Sequence, residues 1–148
     1  MESVMTPVEL QARREALGLS LKALGEVWGV RPQSIARWEY GQNQPKSWDW
    51  MDESLSAMED YLADLIDTTV QNAQQAYEDT GEVALVTYDS RGAFYHGHPA
   101  ARDYEWPNDG LGVPVELHRV ATAHAAVKPR KLYDVDAVPI AAVPKLRA

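Results

Sequence analysis

Proline and glycine punctuate the first part of the chain at Pro7, Gly18, Gly25, Gly29, Pro32, Gly41 and Pro45, then are missing from Trp48 to Asp79. Proline is tolerated in the first turn of a helix, and glycine favours the left-handed residue just past its end. This spacing therefore predicts several short helices followed by one long one. Thr6 stands as N-cap before Pro7, and Leu10, Arg14 and Leu17 share a face that Gly18 closes. Ser20 caps a second helix carrying Leu21, Leu24, Val27 and Trp28, which Gly29 ends. Pro32 opens a third helix and Gly41 stops it. Three short helices in about 40 residues, joined by tight turns, form a compact all-helical unit with a helix-turn-helix at its second and third members.

In the long stretch, Met51, Leu55, Met58, Leu62, Leu65 and Thr69 fall at alternating spacings of four and three, with Trp48, Trp50, Tyr61 and Ile66 widening the stripe. That is a heptad seam over about two and a half repeats, short of the ~3 to 4 that a coiled coil asks for. Two readings stay open. The stripe is the buried side of a core helix, or Met51, Leu55, Met58, Leu62 and Leu65 form a dimer contact.

After Gly81 the pattern changes. Glu82 to Asp89 alternates, with Val83, Leu85 and Thr87 on one side, and reads as a strand; Ala93 to Gly97 is a second short strand after a Ser-Arg-Gly turn. Residues 97–112 read as loop, Pro114 to Val127 as an amphipathic helix stopped by Pro129, and Lys131 to Val138 as a last strand. The expected architecture is mainly α: a helix-turn-helix bundle (1–46), a long acidic helix (47–80), a small α+β unit (81–140) and a frayed tail (141–148).

Composition narrows the function. The 148 residues include no cysteine, which excludes a disulfide framework and any thiolate ligand or nucleophile. No apolar run approaches a membrane span, and the N-terminus lacks the regions of a signal peptide, so a cytoplasmic location is expected. The net charge of −8 argues against a polyanion partner until its distribution is considered. Residues 1–46 carry six basic residues against five acidic ones, residues 47–80 carry nine acids and no base, and residues 81–148 carry eight of each. All the negative excess lies in the long helix, which leaves the N-terminal third free to approach an anion.

The chain from Ser20 to Gly41 resembles the Xre family of helix-turn-helix regulators, the Cro repressor type. The likeness rests on Leu-Gly-Leu-Ser at 17–20, a helix ending at Gly29, and Gln-Ser-Ile-Ala-Arg-Trp-Glu-Tyr-Gly at 33–41, and it covers roughly residues 5–47. It suggests that Met5 stands closer than Met1 to the usual family start. It implies that the third helix enters the major groove of double-stranded operator DNA, with Gln33, Ser34, Arg37 and Arg31 meeting base edges. Glutamine suits adenine and arginine suits guanine, each good bidentate pair discriminating by roughly 1 to 3 kcal/mol. Ile35 and Trp38 point to the core by helical spacing. Arg14 and Glu39 stand where the family pairs its first and third helices. Ser20, Lys22, Tyr40, Gln42, Asn43 and Lys46 fall where the family contacts phosphate. Two residues depart from the pattern. Leu21 takes the place of a phosphate-binding glutamine, and Gly25 replaces the usual alanine, which by propensity alone loosens the second helix by roughly 1 kcal/mol.

The resemblance implies action as a homodimer on paired half-sites, most simply as a repressor. A second reading, from another class, is an antitoxin-like protein whose C-terminal unit binds a partner protein while the helix-turn-helix tunes its own expression. An enzyme is not expected: no glycine-rich phosphate loop or Gly-x-Ser-x-Gly elbow occurs. His96 and His98, near Asp103 and Glu105 in a loop-like stretch, read as exposed polar residues, and His118 and His124 lack the i, i+4 spacing of ligand pairs. No metal and no cofactor are expected.

Overall fold

The computed structural model describes residues 5–82, 85–133 and 140–143. Its helices are α1 (Pro7–Ala16), α2 (Leu21–Trp28), α3 (Pro32–Glu39), α4 (Asp49–Thr80), α5 (Arg91–Gly97), α6 (Pro99–Arg102) and α7 (Val115–Tyr133), with a 3-10 turn at Pro107–Asp109. Two strands, β1 (Leu85–Tyr88) and β2 (Ile140–Val143), pair in parallel. Among the described residues no helix is long and apolar enough to cross a membrane.

The N-terminal helices begin and end where their capping residues dictate. The Thr6 hydroxyl accepts from the Glu9 amide, the Ser20 hydroxyl accepts from the Ala23 amide, and Pro7 and Pro32 open their helices. At the end of α1, Gly18 lies at φ +74°, its amide donating to the Glu15 carbonyl and that of Leu19 to Arg14. A side chain at Gly18 would also meet Val120 of α7 at 2.7 Å, so the turn between α1 and α2 packs directly on the C-terminal unit.

Inside this unit Arg14 and Glu39 pair as expected. The Arg14 guanidinium donates to both carboxylate oxygens of Glu39, at 2.7 and 2.9 Å, and to the Leu19 carbonyl at 2.8 Å. Both residues are buried, and the hydrogen bond to Glu39 raises the Arg14 pKa against the opposing effect of burial. Gly25 acquires a different role from the one its helix propensity suggested. A Cβ there would lie 2.7 Å from the Val30 carbonyl and 3.5 Å from the Pro32 nitrogen, so glycine lets the turn before α3 fold back against α2.

α4 is the shared support of the fold. Met51, Ser54, Leu55, Met58 and Leu62 are buried on it, and one continuous core joins them to Leu10, Leu24 and Ile35 on one side and to Phe94, Val113 and Leu117 on the other. The Trp28 indole donates to the Ser54 hydroxyl at 2.8 Å. Trp50 sits edge-on to Trp28 and Trp38, at centroid distances of 4.9 and 6.3 Å. Arg13 of α1 grips the same helix, donating to Glu59 at 2.6 Å, Asp52 at 2.7 Å and the Ser56 hydroxyl at 3.1 Å.

The dimer seam is therefore corrected. Met51, Leu55, Met58 and Leu62 are covered within their own chain, which leaves them no surface for a second copy, and Leu65 is half-buried beside the same core. Past Leu62 the stripe drifts off the heptad: Leu65 and Ile66 are both half-buried, and full burial then falls on Val70 and Ala73 and not on Thr69 and Asn72, as a straight helix of 3.6 residues per turn requires.

The C-terminal unit departs from the sequence reading in detail. Ala93 to Gly97 is not a strand. Ser90 caps α5 by accepting from the Ala93 amide, and the helix buries Ala93 and Phe94, adjacent residues that a strand would place on opposite faces. The expected loop 97–112 contains α6 and the 3-10 turn, and it is packed: Trp106 is buried with its indole donating to the Gly112 carbonyl at 2.8 Å. The Leu111 backbone amide donates to the Val27 carbonyl of α2, and the Asn108 side-chain amide donates to the Trp50 carbonyl of α4. α7 passes Pro129, which has no amide hydrogen to offer the preceding turn, and continues to Tyr133. The expected last strand is displaced: residues 131–133 are helical, 134–139 lie outside the described residues, and Ile140–Val143 form β2 instead of the start of a tail. The expected first strand is seen at Leu85–Tyr88, with Leu85 buried and Val86 exposed; Val83 lies outside the described residues.

Two substitutions test this account. Gly25→Ala should destabilise by about 1 to 3 kcal/mol in urea unfolding, despite alanine's better helix propensity, because the added methyl meets backbone. Glu39→Ala should cost about 3 to 5 kcal/mol by the same measurement, since it leaves the Arg14 charge buried without its partner.

Candidate nucleic-acid interface

α3 has two sides with different tasks. Ile35 and Glu39 are buried and Trp38 is half-buried against the core, so this side is fixed to α1, α2 and α4. Gln33 and Arg37 are exposed and one turn apart, with Ser34 half-buried beside them. Arg31 is exposed at the N-cap position and makes no side-chain capping bond. The four expected base-reading residues thus gather along one edge and the N-terminal tip of a single rigid helix.

The end of α3 is fixed just as firmly. Gly41 lies at φ +72°, its amide donating to the Trp38 carbonyl at 3.1 Å, while the Gln42 amide donates to Arg37 at 2.9 Å. This closure sets Tyr40, which is 73% exposed, and the exposed Gln42, Asn43 and Lys46 on the segment leaving the helix. Ser20 and Lys22 are exposed at the N-terminus of α2. The Ser20 oxygen accepts from the Ala23 amide, and its hydroxyl hydrogen remains able to donate to a phosphate.

The basic residues of the N-terminal third divide cleanly. Arg13 and Arg14 are held by acids inside the molecule. Lys22, Arg31, Arg37 and Lys46 are exposed and form no ion pair with the described residues. Glu26 pairs with Arg91 of α5, which compensates an acid on the surface of α2. Two of the nine acids of the long helix, Asp52 and Glu59, share the single charge of Arg13 with Glu9.

The C-terminal unit adds a feature that the sequence reading missed. A hollow of about 240 Å³ beside the start of α2 is lined by Ser20, by Lys22, Arg91 and Arg119, and by the acids Glu26, Asp89 and Glu116. Leu21, in the place of a phosphate-binding glutamine, is half-buried against the core, so the exposed Arg119 brings a cation near the helix start where the side chain of residue 21 cannot. Only the folding of α7 onto the α1–α2 turn brings Arg119 there, and no local motif announces it.

Glu116 lies in the same hollow with one carboxylate oxygen buried and unpartnered, and burial raises its pKa. Among the described residues no group of three His, Asp or Glu side chains is placed to hold a metal ion, and His96 and His98 are exposed.

No curated protein matches the chain. Residues 10–47 match the helix-turn-helix family, over the span that contains α2, α3 and the Arg14–Glu39 pair. This segment is a helix-turn-helix domain of the Cro repressor type, the Xre-like family.

Proposed function

We propose that the protein is a sequence-specific DNA-binding transcription regulator, a repressor that acts as a dimer by occupying its operator, with binding and not catalysis as its task. The observation that carries this reading is the division of α3: Ile35, Trp38 and Glu39 fasten it while Gln33 and Arg37 stay exposed, with Ser34 at the edge between them. A helix held this way presents its polar edge to the major groove without first having to order itself.

Within this reading Arg37 pairs with a guanine and Gln33 with an adenine, and Arg31 extends the contact at the helix tip. Ser20, Lys22, Tyr40, Gln42, Asn43 and Lys46 hold phosphates on either side. Four exposed cations on the domain give weak nonspecific affinity, and one reading helix spans only a few base pairs. A second copy on a half-site about 34 Å away supplies the rest. Its contact lies outside the Met51–Leu62 face, which the core occupies.

Arg37→Ala should erase the preference for operator over random duplex in a competition binding assay while leaving the circular dichroism spectrum unchanged. Retained preference would contradict the assignment. Lys46→Ala should weaken binding to all duplexes alike and reduce the slope of log affinity against log salt by about 1.

A further inference from the structure

Beyond Leu62, α4 turns Leu65, Thr68, Thr69, Asn72 and Ala76 away from the buried stripe and toward a cavity of about 520 Å³. The opposite wall comes from β1, α5, α6 and α7. The volume falls in the ~300 to 1,000 Å³ range of small-molecule pockets. Rings line much of it: Tyr61, Phe94, His98, Tyr104 and His118. Tyr61 and Tyr104 meet edge-on at 5.1 Å, and Phe94, His98 and His118 lie mutually within 5.2 to 5.5 Å. Such an array offers both ring faces and ring edges to a flat guest.

The chemistry of the lining is neutral. None of its described residues is Lys, Arg, Asp or Glu. Burial and the neighbouring Tyr104 raise the Tyr61 phenol, which keeps it protonated and able to donate a hydrogen bond. Burial and His98 lower the pKa of His118, whose Nδ1 is closed off and unpartnered. The hydrogen-bonding groups are therefore the Tyr61 and Tyr104 phenols, the Thr68 and Thr69 hydroxyls, the Asn72 amide and the imidazoles, with no fixed charge to balance an ion. An ionised guest would be desolvated there without a counter-charge.

We infer that this cavity is a binding site for an uncharged, flat aromatic molecule of two or three rings that carries a hydrogen-bonding group. The site lies on the C-terminal half of α4, away from α3, and does not depend on the protein's binding DNA.

Two related dyes test it on the full chain: phenylnaphthylamine, which is neutral, and anilinonaphthalene sulfonate, the same ring frame with a negative charge. Fluorescence titration should give saturable binding of one neutral dye per chain, with the sulfonated dye at least tenfold weaker. Ala76→Trp and Ala100→Trp place bulk at exposed lining positions, where neither needs to disturb the core. At least one of them should weaken the neutral dye tenfold or more while melting as the parent protein does. Non-saturating binding, equal affinity for the two dyes, or unchanged affinity in both well-folded variants would overturn the proposal.

Discussion

The buried face of α4 is the constraint on which the rest of the molecule depends. Met51, Leu55 and Met58 are wholly excluded from solvent, and each such side chain contributes roughly 1.5 to 3 kcal/mol by leaving water. The three short helices pack on one flank of this face through Trp28, Trp38 and Trp50, and α7 packs on the other through Leu117 and Ala121. The helix-turn-helix is consequently not a bead on a tether. Its α1–α2 turn touches α7, its α2 ends against the Trp106 loop, and its α1 is held to α4 by Arg13.

That arrangement also explains how a chain of net charge −8 keeps a surface suited to DNA. Buried pairing removes Arg14 and Glu39 from the outside together, and Arg13 draws Asp52 and Glu59 inward against α1. Arg91 pairs with Glu26 at the surface and balances its charge. What remains along α3 and its exit is cationic or neutral: Arg31, Gln33, Arg37, Tyr40, Gln42, Asn43 and Lys46. Asp60, Asp64, Asp67, Glu78 and Asp79 stay in solvent further along α4, beyond the helix-turn-helix.

The local signals in the sequence were legible because they act over a few residues. Thr6, Ser20 and Pro32 start their helices, Gly18 and Gly41 end theirs, and Arg14 meets Glu39, all from short-range pattern or the family's own layout. The long helix was equally plain, but its partner was not. A stripe at 51, 55, 58 and 62 fits a heptad and a 3.6-residue helix alike over so short a run, and only the burial of Val70 and Ala73 further on separates them. α5 was hidden because Ala-Phe-Tyr-His-Gly has no period long enough to identify, and its cap, Ser90, looked like a turn residue. Gly25 shows a different limit. Propensity reads a glycine by its own helix, whereas its reason here is the Val30 carbonyl brought against it by the next turn. Arg119 beside Ser20 and Lys22 is legible only once α7 is folded down.

In the proposed reading α3 is a reading helix carried twice on one operator. The most direct measurement is sequencing of the DNA that the full chain retains from a random duplex pool. The account predicts a pseudo-palindromic motif whose half-sites are centred about one helical turn, 10 to 10.5 base pairs, apart and contain guanine and adenine contacts for Arg37 and Gln33. Retention of the pool without enrichment of any motif would contradict it.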